Sequence, residues 1–115
     1  MRQITQDAVI AFTNDRPFRR DNTEVRATAG GTQLLLHNNI IAARFVGSGK
    51  VMFTLAGWGT PTTRERVNGL LQYLGHKTRV YQHKHEQFVW HEGKEYPIAA
   101  DDDWYISDSN QLEIL

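Results

Sequence analysis

Residues 23–55 read TEVRATAGGTQLLLHNNIIAARFVGSGKVMFTL, and they decide the fold class. Thr23–Thr28 alternates polar and apolar side chains, the period of a half-buried strand. Gly30-Gly31 turns the chain, and Gln33–His37 supplies a second run. Asn38-Asn39 separates it from a third, Ile40–Val46. Asparagine tolerates positive φ better than most residues, so this pair predicts a tight hairpin. Gly47-Ser48-Gly49 makes the next turn and Val51–Leu55 the next strand. Four antiparallel strands in a meander is the economical arrangement of these runs.

Helices flank the block. Upstream, Thr5 is expected as the N-cap of a short helix whose apolar residues are Ala8, Val9, Ala11 and Phe12. Asn14-Asp15 closes it, and Pro17 forbids continuation. Downstream, Thr62 and Glu65 have the T-x-x-E spacing of a capping box. Val67, Leu70, Leu71 and Leu74 follow at i, i+3, i+4 and i+7, one buried stripe. Gly75 suits the left-handed residue that ends such a helix. Three more strands are expected at 78–83, 87–91 and 94–98, with the clearest hairpin turn at Glu92-Gly93 and Pro97 at the end of an edge strand. Residues 101–115 form an acidic C-terminal segment: Asp101-Asp102-Asp103 is solvated, and Trp104-Tyr105-Ile106 folds back over apolar surface. The predicted fold is α+β, a single domain over residues 1–115. An antiparallel sheet of about seven strands carries two helices on one face.

A chain of 115 residues can bury one core but not two. It has no cysteine, which excludes disulfides, thiolate metal sites and cysteine nucleophiles and fits a cytoplasmic setting. The N-terminus lacks the apolar stretch of a signal peptide, and no apolar run has the length of a bilayer span. A soluble protein without membrane association is expected. Net charge is zero but unevenly spread. Residues 1–50 hold seven Arg/Lys against four Asp/Glu, residues 51–85 five against one, and residues 86–115 one against eight. A basic body followed by an acidic third points to a charged partner, unless the two parts neutralise each other across the fold.

His83 and His85, two apart, share a face if both lie on a strand, and His91 lies across the hairpin; these are ligand types for a metal. The stretch is polar, and exposed titrating histidines are the more economical reading. No metal and no cofactor is expected. The chain contains no G-x-S-x-G, Walker loop, H-E-x-x-H or dinucleotide fingerprint. Glu86, Glu92 and Glu95 lack apolar neighbours that would raise a pKa. A non-enzymatic protein is expected. In Arg16, Phe18, Arg19 and Arg20, arginines surround an aromatic ring, which suits phosphate contact and base stacking. Arg26, Arg44, Lys77 and Arg79 add basic positions. Arg64 and Arg66 stand in the first turn of the second helix, where the macrodipole disfavours cations. An anionic partner or the acidic segment would relieve that cost. Zero net charge weighs against general nucleic-acid affinity. Trp58, between two glycines, reads first as core or rim cover and second as an interface hot spot.

Three stretches, AFTNDRPFRRDNTEV, LLLHNNIIAAR and LAGWGTPTTRERVNGLL, carry a resemblance to a group of small tailed-bacteriophage proteins. The matching residues are Arg16, Phe18, Arg20, Asn22 and Thr23; then Leu36, His37, Asn39, Ile41 and Ala42; then Ala56, Gly57, Trp58, Thr60, Thr62, Thr63, Arg66 and Asn68. They fall within residues 5–71. The resemblance supplies no catalytic residues. It implies a phage accessory protein in the host cytoplasm that binds and redirects a host machine, such as a defence or nucleic-acid-handling complex. Arg16, Phe18, Arg19, Arg20, Trp58, Arg64 and Arg66 are then the expected contacts with a bacterial host protein. A direct nucleic-acid binder using the same arginines is the alternative, and a self-pairing edge strand would give a homodimer.

Overall fold

A computed structural model of the chain describes residues 1–108 and 110–115. In chain order it contains α1 (Gln3–Thr13), β1 (Phe18–Arg20), β2 (Thr23–Ala27), β3 (Gly31–Leu36), β4 (Asn39–Phe45), β5 (Val51–Phe53), α2 (Pro61–Tyr73), β6 (Thr78–His83), β7 (Glu86–His91), β8 (Lys94–Pro97), β9 (Tyr105–Ser107) and β10 (Leu112–Ile114). Seven strands form one antiparallel sheet in the order β1-β2-β3-β4-β5-β9-β10, and β6-β7-β8 form a second. The fold is α+β, as expected, with the strands divided between two sheets.

The β2–β5 meander follows the sequence pattern closely. Its central hairpin turns one residue earlier than expected: His37 (φ 49°) and Asn38 (φ 66°) are the left-handed pair, and Asn39 already belongs to β4. A register shift between Leu34 and Leu35 acts as a bulge, so Leu34, Leu35 and Leu36 are all buried. Phe18–Arg20 was expected only as a basic segment. It adds an edge strand, paired with Thr23–Val25.

Both helices end in Schellman motifs. At α1, Asp15 (φ 53°) is the left-handed residue, with Arg16 N–H donating to Ala11 O at 2.9 Å. At α2, Gly75 (φ 76°) takes that position, and His76 N–H donates to Leu71 O at 2.9 Å. The N-termini differ from expectation. Arg2 is the N-cap of α1 and makes no side-chain cap bond; Thr5 lies inside the helix, facing α2. The cap of α2 is Thr60, whose hydroxyl accepts from Thr63 N–H at 3.2 Å, with Pro61 at the first helical position. No Thr62–Glu65 capping box forms, because helix entry is set two residues earlier and Glu65 turns towards α1.

One core serves all layers. Ala8, Val9 and Phe12 of α1, Val67, Leu70 and Leu71 of α2, Val25, Leu34, Ile41, Val51, Phe53 and Tyr105 of the large sheet, and Val80 and Val89 of the small sheet form a single buried cluster. The helices touch at Gly69, where an added Cβ would sit 2.5 Å from Thr5 Cγ2. Gly→Ala inside a helix ordinarily gains about 1 kcal/mol. Here Thr5 is held by its own hydrogen bonds and cannot retreat, so Gly69→Ala is expected to cost a net ~1–2 kcal/mol. Chemical denaturation that found it stabilising would disprove that close approach.

The acidic C-terminal segment is not an appendage. Tyr105–Ser107 pairs with β5 and with β10, and Tyr105 and Ser107 are fully buried. The helix α2 and the small sheet are therefore an insertion between two neighbouring strands of the large sheet.

Candidate functional site

The β1–β2, β3–β4 and β5–α2 connections all leave the same end of the large sheet, and the chain enters β9 there as well. Clustered connections on a rigid sheet are where binding residues are usually carried. Between them lies a cleft of about 540 Å³ lined by Leu36, Ile41, Leu55, Trp58, Thr60 and Thr63, among others. Leu36, Ile41 and Leu55 are buried and form the floor. Trp58, expected first as core or rim cover, instead stands 63% exposed at the mouth.

Its position is held from both sides. Ala56 (φ 55°) and Gly57 (φ 82°) form a tight turn in which Trp58 N–H donates to Leu55 O at 2.9 Å. Gly57 N–H donates to Asp101 O at 3.0 Å. On the other side, Gly59 O accepts from Arg64 Nη1 at 2.5 Å and from Gln87 Nε2 at 3.3 Å. A side chain on Gly59 would meet Asp101 Oδ2 and the Gln87 amide. The two glycines thus have different roles: Gly57 supplies a left-handed φ, and Gly59 lets the loop pack against β7 and Asp101. With the loop tied down, the indole is presented in place rather than left to fold inwards.

The expected arginine surface is largely spent inside the molecule. Arg66 is 1% exposed. It donates from Nε to Thr23 Oγ1 at 3.0 Å, and from Nη1 to Thr5 Oγ1 at 2.8 Å and to the Glu65 carboxylate. It is a buried tie between α2, α1 and β2 and cannot be a contact residue. Burial alone would raise the Glu65 pKa. Hydrogen bonds from Thr5, the Arg2 N–H and Arg66 outweigh it and hold the carboxyl below its ordinary value. Arg64 binds Gly59 O and the side-chain oxygens of Gln82 and Gln87, so its charge fastens the Trp58 loop to the small sheet. Arg44 caps the carbonyls of Phe12 and Thr13 at the end of α1, where a cation is favourable. Arg20 pairs with Asp7 at 2.7 Å and covers the Phe18 ring. Arg16 and Arg19 are exposed and form no ion pair among the described residues. Arg16 follows the C-terminus of α1, at the end of the sheet opposite Trp58, so the candidates do not make one surface.

Acidic and basic parts meet at two ion pairs among the described residues, Lys50–Glu113 at 3.9 Å and Lys77–Glu92 at 3.3 Å. Asp101, Asp102 and Asp103 are in neither. Asp101 lies beside the Trp58 loop, its carbonyl on Gly57 N–H and its carboxylate next to Gly59, and the two aspartates that follow it in sequence add negative charge to that segment.

The three histidines are not brought together. His83 ends β6, His85 (φ 68°) sits in the following turn, and His91 is at the far end of β7, opposite Thr78. The expected shared face of His83 and His85 fails because a two-residue turn, Lys84-His85, intervenes. His91 is buried, with Nε2–H donating to Asn110 O at 3.3 Å and Nδ1 hydrogen-bonded with the Thr78 hydroxyl at 2.8 Å. Thr78 continues to Ser107 at 3.0 Å, and Ser107 to His76 at 3.1 Å. This polar seam joins the small sheet to β9. Burial holds the His76 imidazole below its ordinary value; Asp108 opposes the shift and His91 adds to it.

Sequence reasoning missed the cleft floor and its polar rim, since no local signal joins segments some twenty residues apart. The signal was dispersed: Leu36, His37, Asn39 and Ile41 of one matching stretch, and Ala56, Trp58, Thr60, Thr62 and Thr63 of another, line the same cleft. Among the described residues no helix is long and apolar enough to cross a membrane. A family model described as Kyanoviridae Gp96 protein matches residues 1–111. No curated protein and no solved structure matches the chain.

Proposed function

The chain belongs to the Kyanoviridae Gp96 protein family, a family of phage proteins, and on that premise we propose that it is a non-enzymatic accessory protein of the host cytoplasm that docks a bacterial host protein at the Trp58 cleft. One observation carries the reading: a tryptophan 63% exposed, on a loop tied down at both ends, over a floor of Leu36, Ile41 and Leu55. An exposed indole fixed in place loses little conformational freedom on binding, and Trp anchors that become buried dominate binding energies. The partner segment brings an apolar side chain for the floor. It brings a lysine or arginine for the Asp101–Asp103 segment, since opposite charge steers association and like charge repels.

Trp58→Ala is expected to weaken retention of a host protein captured by the wild-type chain by roughly 30-fold or more. The same variant should unfold within about 0.5 kcal/mol of wild type, as an exposed side chain allows. Asp101→Asn, Asp102→Asn and Asp103→Asn together should slow association and flatten its salt dependence. Unchanged affinity in a folded Trp58→Ala protein would falsify the cleft as the docking site.

Direct nucleic-acid binding is the second reading, favoured by the exposed and unpaired Arg16 and Arg19. Two free arginines beside an internally spent set predict a shallow salt slope, on the order of −2. Retention on DNA or RNA with a slope of about that size would move the assignment there, and no retention at low salt would remove it.

A further inference from the structure

The small sheet has two unlike faces. Val80 and Val89 enter the common core, so the alternating residues Arg79, Tyr81, Phe88 and Trp90 point away from it. Strand pairing sets them in two rows across the sheet, Arg79–Trp90–Glu95 and Tyr81–Phe88–Pro97. The Tyr81 and Phe88 rings stack at 5.6 Å between centroids. The Arg79 guanidinium lies over the Trp90 ring at 5.1 Å. The Tyr81 hydroxyl donates to the Glu95 carboxylate. Among the described residues neither Arg79 nor Glu95 forms an ion pair. Three half-buried aromatic rings outside the core, with Arg79 and Glu95 at the two edges of one row, have the composition of an interface.

We propose that this face is the contact surface of a homodimer, the second copy packing face to face about a two-fold axis that runs along β7. The register is the reason. Such an axis exchanges β6 with β8 and returns β7 onto itself. It sets Arg79 of each copy opposite Glu95 of the other, at two symmetric contacts, and Tyr81 opposite Pro97. Trp90 faces Trp90, and Phe88 faces Phe88. Facing sheets stand about 10 Å apart, a gap that arginine and glutamate side chains bridge together. A face in which the edge strands carry opposite charges at one level is complementary to itself, and no other partner is needed to explain it. Nucleic acid fits poorly, because Glu86 and Glu95 on the same face repel phosphate. Glu86 lies at the end of β7, where the twist of stacked sheets opens the faces to water. The face measures roughly 15 by 20 Å from strand spacing and rise, well under the ~800 Å² per partner of a stable interface. The dimer is therefore weak and concentration-dependent. It is independent of the Trp58 cleft.

Sedimentation equilibrium of the full chain tests it. The weight-average mass should rise from 13.2 kDa towards twice that value between about 10 µM and 1 mM. Arg79→Glu alone and Glu95→Arg alone should each abolish the rise, since like charges then meet at both contacts. An equimolar mixture of these two variants should restore it, because every cross-copy contact again joins opposite charges. The double variant R79E/E95R should restore it within one chain. If a reversal disturbs folding by circular dichroism, Arg79→Gln and Glu95→Gln take its place, each with a partial loss expected. A wild-type mass fixed at the monomer value, single reversals that still associate, or a mixture that fails to recover would each overturn the proposal. So would a monomer whose aromatic face is quenched by single-stranded oligonucleotide.

Discussion

Arg66→Ala is expected to lower the stability of the protein by about 3–5 kcal/mol, the usual cost of removing one partner of a buried ion pair. The expected shift in thermal midpoint is roughly 10–20 °C for a domain of this size. The side chain is 1% exposed and joins three elements through one guanidinium: Thr23 of β2, Thr5 of α1 and Glu65 of α2. Its loss leaves two hydroxyls and part of a carboxylate without their donors and opens a cavity where the helices cross. Arg66→Lys should rescue little, because one ammonium cannot occupy both the Nε and the Nη1 positions of the fork. The pair also predicts a pH signature. The folded pKa of Glu65 lies below its ordinary value of 4.5, so its contribution is complete above that value and is lost as pH falls through the folded pKa. In Glu65→Gln the acid limb of the stability curve should be shallower. Urea denaturation of Arg66→Ala, with a loss under 1.5 kcal/mol, would show that the tie is not energetically important.

Arg66 also shows what could be read in advance. Thr63 lies four residues before Val67 and Arg66 four before Leu70, on the stripe that continues through Leu71 and Leu74. Helical spacing therefore already placed Arg66 on the buried face, and its charge obscured that. With Thr60 as the cap, Arg66 stands in the second turn of α2 and not in the first as expected, and the anion it meets there is its neighbour Glu65. Local chemistry was legible throughout: the β2–β5 meander, Gly75 after α2, and the Glu92-Gly93 turn. Non-local pairing was not legible. Nothing in a three-residue strand such as Tyr105–Ser107 says that it returns past an inserted helix and a second sheet to lie beside Val51–Phe53. Burial of Trp58 was misjudged for a related reason, because its exposure depends on Asp101 and Gln87, distant residues that hold the loop from outside.

That return is the basis of the second large effect. Phe53→Ala is expected to cost about 3–5 kcal/mol, the range for truncating a buried phenylalanine. Phe53 is 1% exposed, and Tyr105, its partner across β5–β9, is 2% exposed. Their rings stack with centroids 5.5 Å apart. β5 has only three residues, so it has little backbone pairing with which to hold β9 if the side-chain contact goes. Tyr105→Ala should be comparably severe. The two should be non-additive by about 0.5–1.5 kcal/mol, the worth of an aromatic pair beyond its buried area. The consequence for the Trp58 cleft is specific. Asp101 sits just before β9 and holds the Trp58 loop through its carbonyl, so loosening β9 should free that loop before the protein unfolds. Amide exchange in Phe53→Ala, at temperatures where circular dichroism is still native, should therefore show lost protection at Gly57 and Trp58 with α1 unaffected. If protection at Gly57 fell only together with global unfolding, the loop would be held by β5 alone, and the acidic segment would have no part in presenting Trp58.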